Sequence, residues 1–115
     1  MYRGNLSRSE RKERTRQYYS IDVDAAKCYY ESLLKEEPDV LAMSDVARIS
    51  GYNPKVVHRW TLSGDLSCIE IKRRKYVTKN DLIRYMSSQR HIGKIKKPEK
   101  HRQQLSEILK GVDTI

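Results

Sequence analysis

The four consecutive basic residues Lys72-Arg73-Arg74-Lys75 form the cluster with the clearest chemistry in the chain. Lysine ammonium and arginine guanidinium groups bind phosphate, and an arginine can do so with two parallel hydrogen bonds. Ile69 and Ile71 alternate with Glu70 before the run, and Tyr76-Val77 follows it. This pattern predicts a β-hairpin with the basic run at its tip. Phosphate contact is the functional interpretation, and prevention of strand-edge pairing is the structural one.

Residues of the kind used in catalysis and metal binding form no known pattern here. The candidates for a zinc site are Cys28, Cys68, His58, His91 and His101, and none of them takes part in a CxxC or HxxxH spacing. The sequence has no glycine-rich phosphate loop, no Gly-x-Ser-x-Gly and no His-Glu-x-x-His. We therefore expect no enzymatic activity, no catalytic residue, no metal and no cofactor.

Basic residues dominate the charge balance of the 115-residue chain, whose length is typical of one domain. It has 24 Lys and Arg against 15 Asp and Glu, which gives a formal net charge of +9. The net charge is +4 over residues 1–20, −4 over 21–43, +5 over 44–88 and +4 over 89–115. Such a balance favours binding to nucleic acid, to an anionic membrane or to an acidic protein. No apolar run is long enough for a transmembrane helix or a signal peptide, so we expect a cytoplasmic protein with no membrane partner. If its basic charge binds nucleic acid, such a protein is nucleoid-associated.

Two short helices separated by a turn are predicted between Ser44 and Gly64. Ser44 is a favourable N-cap for the first helix, and Gly51 suits the position just after its end. Asn53 then caps the second helix, with Pro54 at its first position, and Gly64 ends it. The connection of about three residues has the spacing of a helix-turn-helix.

The basic run contains neither Gly nor Asn, and this indicates how the hairpin closes. Because the favoured two-residue hairpin turns use these residues, we expect a loop of about four residues at the tip. A further helix is predicted over residues 81–87, capped by Thr78 or Asn80. Its inward-facing side chains are predicted to be Leu82, Tyr85 and Met86.

The predicted organisation has four parts. They are a basic flexible arm (1–19), an N-terminal amphipathic helix (20–38), a central domain (39–88) and a basic linker with a short C-terminal helix (89–115). Self-association through residues 20–37 is one expected use of the amphipathic helix. Its apolar stripe is Ala26, Tyr29, Tyr30, Leu33 and Leu34.

The last helix is predicted to run from Glu99 to Lys110 and to be closed by Gly111. A helix of about three turns is marginal alone and needs a surface to pack on. The residues available for this packing are Leu105, Ile108 and Leu109.

The segment from Leu41 to Ser87, about 47 of the 115 residues, resembles the excisionase-type branch of the MerR-like winged helix-turn-helix family. In that pattern a small helix ends in Gly, a second helix carries a Val-x-x-aromatic pair, a hairpin has an Arg-Arg tip, and a third helix opens with Asp-Leu. The matching residues are Val46-Ala47, Gly51, Val57, Trp60, Ser63-Gly64, Leu66, Ile69, Ile71, Arg73-Arg74, Asp81-Leu82 and Tyr85. Lys72 departs from the pattern, since it stands where the family often has Gly, and this leaves the shape of the tip open.

The resemblance implies a mainly α fold with a small β-hairpin, that is, a winged helix-turn-helix core with extra N- and C-terminal helices. In such a fold the second helix enters the major groove and the wing lies along a groove or on phosphates. With Val57 and Trp60 turned into the core, the implied DNA-binding residues of the second helix are Asn53, Pro54, Lys55, Val56, His58 and Arg59. Those of the wing are Lys72, Arg73, Arg74 and Lys75. The alternative for the residues of the second helix is that they are ordinary solvated side chains.

The function that the resemblance implies is sequence-specific binding of double-stranded DNA. We expect an excisionase, a recombination directionality factor of a mobile genetic element, which bends DNA and assists an integrase or recombinase. A small MerR-like transcriptional regulator is the first alternative, although the last helix is short for the dimerising helix of such regulators. A non-enzymatic RNA-binding or protein-interaction module is the second.

Overall fold

The computed structural model describes residues 21–94 and 96–113, which form six helices and three strands. The helices are α1 (Val23–Leu33), α2 (Met43–Ser50), α3 (Pro54–Ser63), α4 (Lys79–Met86), α5 (Gln89–Ile92) and α6 (Glu99–Asp113). The strands are β1 (Val40–Ala42), β2 (Ile69–Ile71) and β3 (Arg74–Thr78). The predicted mainly α class is confirmed, and the arm predicted over residues 1–19 lies outside the described residues.

A small antiparallel sheet joins the predicted hairpin to a third strand. The strand order is β1-β3-β2, so β3 is central and β2 lies at an edge. Leu41 of β1 pairs with Val77 of β3, and both side chains are fully buried. Ile69 pairs with Tyr76 and, like Ile71, is exposed. Because side chains alternate between the two faces of a strand, one face of the sheet packs on the core and the other faces solvent.

The turn between β2 and β3 contains two residues, so the predicted loop of four residues is wrong. Lys72 has a φ of 51° and Arg73 a φ of 68°, which places both in the left-handed region. Two-residue hairpin turns require this geometry, because it matches the twist of the flanking strands. The strand pairing imposes it on two residues that are neither Gly nor Asn, and Arg74 and Lys75 belong to β3.

Local capping chemistry places α3 as predicted. The Asn53 side chain accepts a hydrogen bond from the backbone N–H of Lys55 at 2.8 Å, and Pro54 occupies the first helical position. Gly64 ends the helix with a φ of 86°, and Gly51 ends α2 with a φ of 80°. Both glycines therefore take the left-handed conformation that terminates a helix.

Helix α2 begins earlier than predicted, because strand β1 runs directly into it. The N-cap is Ala42, so the prediction of Ser44 at this position is wrong. The backbone N–H of Ala42 donates to Oδ2 of Asp45 at 3.2 Å. The carboxylate of the first turn thus binds the cap residue, and Ser44 lies inside the helix.

Helix α1 is shorter than the predicted span of residues 20–37. Its buried side chains are Ala26 and Tyr30, with Leu34 buried just beyond its end. These residues are four apart and share one helix face. Leu33, a member of the predicted apolar stripe, is 44% exposed and lies outside this buried face.

Helix α4 begins two residues before its predicted start at residue 81. The Thr78 hydroxyl accepts a hydrogen bond from the backbone N–H of Asp81 at 3.1 Å, which confirms Thr78 as the cap. The predicted inward-facing residues Leu82, Tyr85 and Met86 are buried.

The segment predicted as a linker contains helix α5. His91 and Ile92 of this helix are fully buried, and the His91 ring contacts Trp60 of α3 and His101 of α6. Helix α6 continues to Asp113, so the prediction that Gly111 closes it is wrong. Its buried residues His101, Gln104, Leu105 and Ile108 form one stripe.

The outermost helices share a single core with the central elements. The Tyr30 hydroxyl of α1 donates a hydrogen bond to Gln104 Oε1 of α6 at 3.2 Å. Gln104 Nε2 in turn donates to the carbonyl oxygen of Ile49 in α2 at 2.9 Å. Among the described residues, no helix is long and apolar enough to cross a membrane.

Candidate nucleic-acid interface

Helix α3 has one face in the core and the opposite face in solvent. Val57 is fully buried and Trp60 nearly so, as predicted, whereas Leu62 is 67% exposed. Of the predicted DNA-binding residues on this helix, Asn53, Pro54, Lys55, His58 and Arg59 are exposed and Val56 is half-buried. The helix therefore presents two cations and an imidazole on a rigid support.

The position of α3 is fixed by aromatic contacts of Trp60. The centroid of its ring lies 5.0 Å from that of Tyr52 and 4.9 Å from that of Tyr85. The imidazole of His91 meets it edge-on at 5.4 Å. Such geometries add to the stabilisation that burial provides. Trp60 is thus a core residue that anchors the helix.

The basic hairpin lies directly beside α3. Nζ of Lys75 in β3 donates a hydrogen bond to Oγ1 of Thr61 in α3 at 3.2 Å. Of the predicted wing residues, Lys72, Arg73 and Arg74 are exposed and Lys75 is half-buried. We call the surface formed by Lys55, His58 and Arg59 of α3 together with Lys72–Lys75 of the hairpin the basic face.

The ion pairs recorded among the described residues lie outside the basic face. Elsewhere, Arg48 pairs with Glu37 at 2.9 Å, and ion pairs also hold Lys79, Arg84, Arg90 and Lys110. Within the described residues, none of the lysines and arginines of the basic face forms an ion pair. The basic face therefore brings together cations that form no ion pair with another described residue, and such a surface attracts polyanions.

A buried pair of histidines lies behind α3 and was not anticipated from the sequence. The rings of His91 and His101 stack with centroids 4.0 Å apart and an interplanar angle of 18°. Nδ1 of His101 lies 2.5 Å from the Tyr52 hydroxyl, in a hydrogen bond, whereas both buried ring nitrogens of His91 have no hydrogen-bond partner among the described residues. Burial lowers the pKa of His91 well below its ordinary value and lowers the pKa of His101 to about 3. Both rings are therefore neutral at pH 7.

Lys94 covers the same aromatic cluster from the solvent side. Its Nζ lies 4.1 Å from the centroid of the Trp60 ring and 4.8 Å from that of Tyr52, within the range of a cation–π interaction. Burial lowers the pKa of this ammonium group to about 8. The spacing of residues in the sequence does not predict these contacts, because they depend on how α5 and α6 pack against α3.

An open cavity of about 470 Å³ separates α3 from the segment that carries Lys94. It is lined by Val56, Arg59, Trp60, Ser63, Asp65, Arg90 and Lys94. Nε of Arg90 is 2.8 Å from Oδ2 of Asp65, and the Arg90 side chain is 70% exposed. The positive surface thus continues from α3 onto residues beyond the predicted central domain.

Neither metal ligands nor similarity to known proteins indicates what the basic face binds. In the part of the chain that the structure describes, no group of three or more His, Cys, Asp or Glu residues is placed to hold a metal ion. No family model, curated protein or solved structure matches the chain. The shape and charge of the basic face are therefore the features from which a function follows.

Proposed function

We propose that this protein binds double-stranded DNA sequence-specifically, with α3 in the major groove and the hairpin on the phosphate backbone. The observation that carries this proposal is the basic face, where unpaired cations of α3 and of the hairpin adjoin through the Lys75–Thr61 hydrogen bond. A helix with its side chains is about 10–12 Å across, and the major groove is about 12 Å wide. An exposed helix with basic side chains therefore suits this groove.

The proposed fold is a winged helix-turn-helix core with extra N- and C-terminal helices. It is supported by the three-residue connection between α2 and α3, by the buried pair Val57 and Trp60, and by a hairpin between α3 and α4. Lys72, the departure from the family pattern, has a positive φ of the kind that Gly adopts readily. The tip can therefore keep a tight turn without that Gly.

Different residues of the basic face have different proposed roles. Arg59 has the side chain that can form two hydrogen bonds with O6 and N7 of a guanine. Lys55 offers a single charge to a base edge or a phosphate. Arg73 and Arg74 at the tip bind phosphates, which adds affinity and position but not sequence preference.

The proposed biological role is that of an excisionase-type accessory factor that bends DNA and assists an integrase. Helix α6 supports this role over that of a MerR-like regulator, because Leu105 and Ile108 are buried in the chain's own core. A helix used in this way does not offer its apolar stripe to a second subunit. Likewise α1 buries Ala26 and Tyr30 internally, which leaves Val23 and Leu33 as its exposed apolar residues for self-association.

A gel-shift comparison of duplex DNA, single-stranded DNA and RNA of equal length tests the proposal. We expect the duplex to bind most tightly, and the Arg73→Ala/Arg74→Ala variant to bind every duplex more weakly. Lys27→Ala/Lys35→Ala, on α1 and in the turn that follows it, is the matched control, since it removes the same charge from exposed positions outside the basic face. Equal or tighter binding of RNA would contradict the proposal and support an RNA-binding module.

Assembly on DNA distinguishes the two DNA-binding roles. A monomer in sedimentation that binds tandem direct repeats supports the accessory factor. A stable dimer that binds an inverted repeat supports the regulator, because a two-fold protein matches a two-fold site.

A further inference from the structure

Helix α3 is flanked by positive charge on both sides. Thr61 faces the hairpin and receives the hydrogen bond from Lys75. Ser63 lines the cavity that also contains Arg90 and Lys94. Two residues along a helix correspond to about 200° around its axis, so these side chains point in nearly opposite directions. The hairpin and the pair Arg90 and Lys94 therefore lie on opposite flanks of α3.

Arg90 and Lys94 are held in place and still have donors to offer. Arg90 uses Nε to bind Asp65, and a guanidinium group has further N–H donors. The Asp65 carboxylate also accepts a hydrogen bond from the Ser63 hydroxyl at 3.0 Å, which turns it toward α3. Lys94 rests on the Trp60 ring. With Arg59 included, three cations and one carboxylate line the cavity.

A helix that occupies a major groove has a phosphate backbone on each side. The hairpin reaches one backbone only, because it lies on one flank of the helix. A fold that also placed cations on the other flank would bind both strands and hold α3 centred between them. Phosphate contacts of this kind fix the register of a protein on DNA.

We propose that Arg90 and Lys94 bind a phosphate diester of the DNA strand across the major groove from the strand that the hairpin contacts. This inference rests on the proposed function and extends the interface beyond residues 39–88. Arg59, at the edge of the same cavity, then lies between the two backbones, where a base edge is accessible to it.

The salt dependence of duplex affinity tests this assignment. The logarithm of the binding constant falls with the logarithm of salt concentration by about 0.9 for each phosphate that is neutralised. We expect Arg90→Gln/Lys94→Gln to make this slope less steep by about 0.9, because one phosphate is no longer neutralised. Lys27→Gln/Lys35→Gln, the matched control, should leave the slope unchanged. Lys94→Arg, which keeps the positive charge, should retain the wild-type slope.

The outcomes separate failure of this inference from failure of the proposed function. Arg73→Gln/Arg74→Gln in the same assay reports on the hairpin. If Arg73→Gln/Arg74→Gln makes the slope less steep while Arg90→Gln/Lys94→Gln does not, the second phosphate contact is refuted and DNA binding stands. If the wild-type protein has no preference for duplex, the proposed function fails and this inference fails with it. Arg90→Gln alone, at a largely exposed side chain, decides the case if loss of the Lys94–Trp60 contact unfolds the double variant.

Discussion

At the residue scale, Trp60 links the core to the basic face. Its ring contacts Tyr52, Tyr85 and His91, while its neighbour Arg59 points to solvent. We expect Trp60→Ala to lower the free energy of unfolding by about 3–5 kcal/mol, because it leaves a large cavity under α3. Urea denaturation measures the loss, and Leu62→Ala on the exposed face of α3 is the control. A Trp60→Ala protein of unchanged stability that no longer binds DNA would contradict the core assignment.

The stacked histidines predict a stability that decreases in acid. Their folded-state pKa values lie below the ordinary value of 6.5, so the unfolded chain takes up protons that the folded chain does not. Their contribution to the free energy of unfolding is fully present above pH 6.5. It is lost as the pH falls toward about 3, the pKa of folded His101. We expect His91→Phe to reduce the loss of stability between about pH 7 and about pH 4.5, measured by urea unfolding at each pH. His58→Phe, at an exposed site, should retain the wild-type loss; a His91→Phe protein that also retains it would contradict this account.

At the scale of elements, the two glycines that end α2 and α3 provide a matched pair. Both have a positive φ, so alanine at either position costs roughly 1–2 kcal/mol of stability. A Cβ atom at Gly51 would also lie 2.6 Å from Cβ of Lys100 in α6, whereas one at Gly64 meets no atom of the described residues within 4 Å. We expect Gly51→Ala to destabilise the protein more than Gly64→Ala, by roughly a further 1–3 kcal/mol, in thermal or urea denaturation. Equal losses would show that α6 does not pack against the end of α2.

The hairpin turn combines an unfavourable backbone with the strongest cluster of charge. Lys72 and Arg73 both adopt a positive φ, which Asn and Gly tolerate better. We expect Lys72→Asn/Arg73→Gly to stabilise the protein by roughly 1–2 kcal/mol. The same variant should weaken duplex binding, because it removes two positive charges from the tip. Thermal denaturation measures the first effect and gel shift the second. A stabilised variant that binds duplex with full affinity would show that the tip is not part of the interface.

At the scale of the whole molecule, the sequence predicts what is decided locally. The cap of Asn53, the stop at Gly64 and the alternation around Glu70 depend on neighbours in the chain, and they located α3 and the hairpin correctly. The closing turn was missed because strand pairing, and not residue preference, sets the φ of Lys72. Contacts between distant segments left no pattern: Gln104 bonds to Ile49 across 55 positions.

The same distinction applies to the candidate site. Residue type identified the cations of α3 and the hairpin, because a Lys or Arg is recognisable as a cation from the sequence without knowledge of its contacts. Arg90 and Lys94 fall within the predicted linker, because their position beside Arg59 and Trp60 depends on the packing of α5 and leaves no pattern in the sequence. The positive surface of the folded chain is therefore wider than the motif that indicated it.

The central claim, that α3 occupies a major groove, is tested most directly by methylation interference on a duplex that the protein selects from a random pool. Dimethyl sulfate methylates N7 of guanine, which lies in the major groove, and N3 of adenine, which lies in the minor groove. We expect N7 methylation within the bound stretch to block binding, and Arg59→Ala to lose this sensitivity at one guanine. Binding that tolerates every N7 methyl group and is blocked only by methylation of adenine N3 would contradict the account.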